Sequence, residues 1–468
     1  RYAYAGGISI IVAEDSREPV HIAQHQALVN EYCAKGLAVQ HFDLPEQYQL
    51  LQSLPESQRY ALRHLLTEQP AERFYLKGQA ANRNLSYLKM LQLTQDKTHT
   101  LYYCVDSDQT FLPEIDYFHS INHIFHTTDT LMLTGKLVGD PPVSPAVMAA
   151  NFLQDVWGFL QEMADYGLDS PCQFHRATAV PHDAAYHDLA TLFGFEPAQQ
   201  HFTYPCPLQG NHTNHACLQT FAARLHAFFF GEHLTRKTVY QPSAEPLALT
   251  PARTVYPGNY IVNFAGLKYI IPFGHLRLRM SGPTAGRLIQ AEIGARFATV
   301  NLPMLHQRTT ETDAGFRPGV EQQAHTTIDI SNEFERQFFG DLLLFSVVAF
   351  LKQYPLSQLT NTDAVQAVME QVETELLGLY TNKHAAVNTQ VEMLGTWLQS
   401  LPTNWQTSPA LPHIRTFLAN MRHNFSQHAL AWQHIQDAAH RAQRKRQMMA
   451  ALATYQVERA AWDQLFTA

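Results

Sequence analysis

The stretch Leu101-Tyr102-Tyr103-Cys104-Val105-Asp106-Ser107-Asp108-Gln109 decides how this chain is read. Leu101 to Val105 is an apolar run of strand length, and it stops at two carboxylates one residue apart. A strand in an open α/β sheet delivers its C-terminal end to the ligand crevice. Asp106 and Asp108 would repel each other there unless a cation lay between them. A divalent ion with oxygen ligands meets that need and can in turn hold a diphosphate. The plainer reading of such a triplet is a solvated surface turn.

Outward from that strand, residues 1–140 alternate strands and helices. Ile8-Ser9-Ile10-Ile11-Val12 follows Gly6-Gly7 and reads as a buried strand. Residues 21–35 have helical spacing at Ile22, Leu28, Val29 and Tyr32 and stop at Gly36. Residues 37–42 read as a second strand and 85–93 as a helix. This alternation predicts a parallel sheet covered by helices. Asp140-Pro141-Pro142-Val143-Ser144-Pro145 breaks the chain and opens a helix running to about residue 166. Residues 169–250 are rich in His, Pro and Phe and read as an insertion or lid shaping a substrate site. Residues 255–305 return to short strands with one helix at 284–293.

From about residue 330 the pattern is helix only. Ile414, Leu418, Met421, Phe425, Trp432, Ile435, Ala439 and Ala442 follow alternating steps of three and four, with His428 in the seam. That stripe predicts a helix lying along another helix, in the same chain or in a second subunit, so a homodimer through these helices is one expected arrangement. Arg441, Arg444, Lys445 and Arg446 read as a solvated helix face or as a patch for an acidic partner. The expected units are 1–140, 141–254, 255–329 and 330–468.

Composition narrows the function. The chain has 468 residues, of which 46% are hydrophobic, enough for large cores. Its formal net charge is −8, which argues against a dedicated nucleic-acid binder. The five cysteines form no Cys-x-x-Cys pair, which weighs against a disulfide framework and against a cysteine zinc site. The most apolar stretch, residues 338–351, is short for a bilayer span and carries Asp341. No signal segment is legible, although the sequence opens on Arg1 rather than Met, which leaves a removed segment open. A soluble, cytoplasmic protein is the expectation.

Two further motifs join the Asp-x-Asp turn. Lys77-Gly78-Gln79-Ala80-Ala81-Asn82-Arg83-Asn84 combines small residues that permit close backbone approach with Arg83, which can reach a phosphate or lock the loop. Ile10-Ile11-Val12-Ala13-Glu14-Asp15 puts two acids just past the first strand, suited to a base edge or a ribose, or to turn and helix capping. The order of Ser9-Ile10-Ile11-Val12, then Ala81-Asn82-Arg83-Asn84, then Asp106-Ser107-Asp108 resembles the nucleotide-sugar domain of GT-A glycosyltransferases, the family-2-like group in particular. The resemblance covers residues 7–140 and resumes loosely at 256–308.

That resemblance implies an α/β fold with a Rossmann-like nucleotide-sugar domain, a mixed sheet and an all-helical C-terminal region. It implies Mn²⁺ or Mg²⁺ bridging Asp108 to the diphosphate of a UDP- or GDP-sugar, with Asp106 near the ribose or the metal. His306, in Asn301-Leu302-Pro303-Met304-Leu305-His306-Gln307-Arg308, is expected to complete the metal shell, with Arg308 on the leaving diphosphate; a satisfied structural histidine is the plainer reading. Glu14, Asp15 and Arg83 are expected on the nucleotide side, and Lys136, in Thr134-Gly135-Lys136, as a phosphate or acceptor contact. Inverting relatives often carry an acid pair where this chain reads Ser281-Gly282-Pro283-Thr284, and Glu292 is the only carboxylate between residues 246 and 310. A base from Asp140 or Asp155, or retention of configuration with the diphosphate taking the acceptor proton, both follow, with a lean to retention. Pro283, as the first residue of a helix, together with Arg277 and Arg279, also suits an anion. His212, His215 and Cys217 are a thin candidate for a metal set.

Two rival functions remain. A sugar-phosphate nucleotidyltransferase would need a glycine-rich phosphate loop that Gly6-Gly7 does not supply. The other is a non-enzymatic scaffold on the same domain.

Overall fold

The computed structural model describes residues 6–182, 184–256, 258–308 and 327–466. The chain is α/β with a mixed sheet and a helical C-terminal region. Strands β1 (Ser9–Ala13) and β2 (Ala38–Phe42) pair in parallel, Ser9 opposite Ala38 and Ala13 opposite Phe42. Helix Pro19–Ala34 joins them and ends before Gly36, whose φ of +86° suits glycine.

The single parallel sheet expected from the alternation is not what forms. β1 and β2 stand as a two-stranded unit, while β3 (Leu101–Val105), β4 (Gln109–Phe111), β5 (Met132–Gly139), β6 (Thr250–Pro251), β7 (Asn259–Asn263) and β8 (Phe297–His306) make a second sheet in the order β3-β7-β5-β8-β4, with β6 also on β8. Only β5 and β8 run parallel there. β3 finds its partner in β7, antiparallel and more than 150 residues on, a pairing that local periodicity does not encode. Nor is β1 fully buried: Ser9 and Ile10 are exposed within it, as is Ile8 just before it.

Both faces of the large sheet are covered, and the side chains alternate accordingly. Tyr102, Met132, Tyr260, Val262 and Phe297 point into a core with Phe42, Phe74, Leu85 and Tyr87. Leu133, Ile261, Ala298 and Val300 point the other way, onto Tyr117, Ile121 and Ile124. The register of β5 against β8 slips between Thr134 and Lys136. Asn259 fills that bulge: its amide donates to the carbonyls of Lys136 (2.8 Å) and Leu302 (2.9 Å), and its oxygen accepts from Tyr103 (2.8 Å). A Cβ on Gly135 would lie 2.3 Å from that amide nitrogen, so glycine is required there.

The third core unites residues 146–234 with the C-terminal helices. Helix Ala149–Tyr166 buries Phe152, Leu153, Val156, Phe159, Leu160 and Met163 on one stripe. The 141–254 region therefore shares its interior with helices Ser331–Gln353 and Thr362–Ser400 rather than hanging as a separate lid. The stripe read at 414–442 is divided among helices Ala410–Phe425, Leu430–Gln436 and Ala438–Gln464. Its apolar members from Ile414 to Ile435 are buried within this chain, whereas His428, expected in the seam, and Ala439 are exposed. Arg441 and Lys445 both pair with Glu373, so half of the basic cluster belongs to an internal ion-pair network, while Arg446 is exposed. Among the described residues no helix is long and apolar enough to cross a membrane.

Candidate functional site

The Asp-x-Asp residues occupy the tight turn from β3 into β4, where Gln109 N–H donates to Asp106 C=O (3.2 Å). β4 pairs with the end of β8, Gln109 opposite His306, and Gln307 N–H donates to Asp108 C=O (2.9 Å). That register brings Asp108 to His306 across some 200 residues: Asp108 Oδ2 lies 3.2 Å from His306 Nε2. β5 arrives from the other side. Asp140 N–H donates to His306 C=O (2.8 Å), and the Asp140 carbonyl lies 2.7 Å from His306 Nδ1. A ring whose Nδ1–H is held by a carbonyl presents Nε2 as its lone-pair nitrogen. Gly139 (φ +90°) lets the strands approach so closely, since a Cβ there would meet His306 C=O at 2.6 Å.

Arg308 closes the same corner. Its N–H donates to Asp140 Oδ2 (2.7 Å), and its guanidinium passes over Gly231. Arg308 Nε is buried with no hydrogen-bond partner among the described residues. Burial lowers the Arg308 pKa below the ordinary arginine value; Asp108, Asp140 and Asp106 oppose the shift, and the like charge of Arg279 adds to it. Arg279 sits on a strained segment, with Phe273 (φ +63°), Arg277 (φ +52°) and Met280 (φ +65°) in the left-handed region. Such strain persists where surrounding contacts over-determine it, here the Arg279–Glu333 ion pair and the donation from Arg336 Nε to Arg277 C=O (2.6 Å).

Asp106 turns to a different partner. Arg83, on helix Gln79–Leu93, places Nη2 at 3.0 Å from both Asp106 oxygens. Burial works against the Arg83 charge, but Asp106, Tyr260 and Cys104 together outweigh it and the pKa is raised. Asp106, Asp108 and His306 consequently do not form one three-ligand cluster among the described residues. The expected metal set is reduced to the Asp108–His306 pair, which fits a divalent ion: a carboxylate beside an imidazole whose far nitrogen is already fixed.

Glu14 requires correction. It is 3% exposed, and its oxygens are taken by Asp15 N–H (2.9 Å), Ser16 N–H (2.7 Å), His25 (2.7 Å) and His41 (3.2 Å). Its oxygens are spent inside the protein, on the turn after β1 and on two imidazoles, and not turned outward as the nucleotide-side expectation needs. Asp15 is the partly open acid there, held by the buried Lys77 ammonium at 2.8 Å. Burial raises the Asp15 pKa, with Lys77 and Arg83 opposing. Nothing in the local sequence marks Lys77 as a lysine that reaches the end of β1, where it also donates to Glu14 C=O (3.2 Å). Lys136 is exposed on β5 at the bulge, where its carbonyl accepts from the Asn259 amide.

The acids weighed as a general base are all engaged. Asp140 also lies 3.3 Å from Lys237 Nζ, which pairs in turn with Glu232 (2.9 Å). Asp155 is fully buried and chelated by Arg236, Nε to Oδ2 and Nη2 to Oδ1, both 2.7 Å. Glu292 accepts from Tyr455 (3.0 Å) and lines a separate cavity of about 340 Å³ with Leu356, Arg459 and Asp463. His215 lies 3.0 Å from Ser408 Oγ, and the thin candidate set of His212, His215 and Cys217 does not converge as a ligand group among the described residues. Comparison of the chain with protein-family models, with curated proteins and with solved structures returns no match.

Proposed function

We propose that this chain is a metal-dependent glycosyltransferase that moves a sugar from a nucleotide-diphosphate donor to an acceptor hydroxyl. The observation that carries the reading is the convergence of Asp108, His306 and Arg308 at the ends of β3, β5 and β8, with a buried guanidinium nitrogen left for an anion. Asp108 and His306 would hold Mn²⁺ or Mg²⁺, whose contribution is to neutralise diphosphate charge. Arg308, backed by Arg279, binds the diphosphate oxygens and stabilises the charge that grows on them as the glycosidic bond breaks. The Arg83–Asp106 pair and the Lys77–Asp15 pair frame the nucleoside side, where a carboxylate accepts from ribose hydroxyls. With Asp140, Asp155 and Glu292 each engaged, retention of configuration is the favoured course, the leaving diphosphate taking the acceptor proton.

Thermal-shift titration with UDP and GDP, each with and without Mn²⁺, tests the proposal. A nucleotide-dependent rise that requires Mn²⁺ is expected, lost in Asp108→Ala and weakened in Arg308→Ala. A Mn²⁺-independent response, or one unchanged in Asp108→Ala, overturns it. Once a donor is found, the anomeric coupling constant of the product decides retention against inversion.

A further inference from the structure

Residues 167–213 carry one short helical turn, Ala190–Phe193, among the described residues, yet they sit on a well-packed core. Such a segment needs cross-links to hold its path. Three of its strands of chain meet at one point. Cys172 N–H donates to His212 C=O (2.9 Å), Cys206 N–H donates to Phe174 C=O, and Pro171 bridges Thr213. At that meeting point Cys172, His175, Cys206 and His212 bring one donor atom each to within 4.8 Å of all the others.

We propose that these four side chains form a structural zinc site. Two thiolates and two imidazoles are the donor set of a closed, tetrahedral zinc centre, and their spacing here is Cys-x₂-His followed by Cys-x₅-His. The ring of His212 is already oriented for it: Nδ1 lies 2.9 Å from Gly210 C=O, and Nε2 lies 3.3 Å from Cys206 Sγ. A ligating histidine fixed through its other nitrogen by a backbone carbonyl is the usual outer-shell arrangement. The His175 and His212 rings stand edge to face at 85°, so they present their nitrogens from different directions. In a zinc tetrahedron neighbouring sulfurs lie about 3.8 Å apart, so donors that already lie within 4.8 Å of one another need only small side-chain adjustments to close on the ion. Binding releases the two thiol protons to solvent, and two thiolates exactly offset the charge of the ion. That neutrality suits a place where Cys206 is buried and His175 exposed, with the exposed side as the entry path. Cys217, fully buried on helix Asn214–Arg224, lies beside Cys206 and Cys172 as the wall beneath the site.

This inference is independent of the transferase reading, and one set of samples separates them. Metal analysis of the full chain, purified without chelator or histidine tag, should give about one zinc per chain. Cys172→Ser and Cys206→Ser should each lose it, His175→Ala should weaken its retention against a chelator, and Asp108→Ala should keep it. If a cysteine variant fails to fold, replacement of zinc by Co²⁺ in the wild-type chain should produce tetrahedral d–d bands and thiolate charge-transfer absorption. Metal-free wild-type protein that takes up no cobalt with those bands, or a Cys172–Cys206 disulfide in its intact mass, overturns the proposal.

Discussion

The Glu14 carboxylate, nearly inaccessible and met by two backbone N–H groups and two imidazoles, illustrates how a residue type chosen for ligand chemistry is used for architecture. Burial alone would push its pKa up; the hydrogen bonds from His25 and Ser16 outweigh burial and bring it down to about 2, against 4.5 for a free side chain. A folded-state pKa below the unfolded value means stability that is present above pH 4.5 and lost as the pH falls towards 2. At about 1.4 kcal/mol per pH unit the contribution is roughly 3 kcal/mol. Glu14→Gln should therefore be less stable than wild type at neutral pH, with the gap closing between pH 4.5 and 2 in urea titrations. A gap that stays constant across that range would show that the lost stability is not electrostatic. The ends of the apolar runs at 101–105 and 301–305 are legible in the sequence, and they bring Asp108 and His306 within 3.2 Å, while Asp106 turns away to Arg83. Burial of Glu14, the crossing of Lys77 and the pairing of Arg83 with Asp106 depend on distant segments and leave no local trace.

At the scale of elements, helix Ala149–Tyr166 organises the irregular chain around it through a single carboxylate. Asp155 accepts from Arg236 twice, from Phe202 N–H (2.9 Å) and from Thr235 (2.5 Å), while Arg236 also donates to Ala185 C=O (2.6 Å). Three loops are tied to one helical position, with both charges fully buried. Removing one member leaves the other charged and unpaired in the interior, at a cost of about 3–5 kcal/mol. Asp155→Ala should lower the unfolding free energy by that amount in urea denaturation; a change below about 1 kcal/mol, the range of an exposed pair, would mean that Arg236 finds another partner. Individual elements were well marked by sequence, the strand at 101–105 and the helix ending before Gly36 among them. Their pairing was not, because the antiparallel union of β3 with β7 has no periodicity to announce it. The helical stripe at 414–442 was misjudged as continuous because neither Gly nor Pro marks the breaks at Ser426–Ala429 and Asp437. Asp437 instead caps the last helix through Ala439 N–H (2.8 Å).

Over the whole molecule, the first and last elements share one interior. Helix Ala438–Gln464 returns to the N-terminal part of the chain, where Trp462 is fully buried in the core that also holds Phe42, Leu62, Leu66 and Phe74, and its indole N–H donates to Leu267 C=O (3.1 Å). Truncating a buried tryptophan to alanine removes transfer free energy and leaves a cavity, together about 3–5 kcal/mol. Trp462→Ala should show that loss, and hydrogen exchange should report lowered protection in β2 and residues 44–66, far away in sequence. Unchanged protection there would mean that the first two strands are stable without the last helix. The same arrangement constrains how the protein is made. As the polypeptide emerges from the ribosome, the N-terminal apolar surface around Phe42 and Phe74 waits through more than 380 residues of synthesis for the side chain that closes it, so its nascent form is a natural client for chaperones.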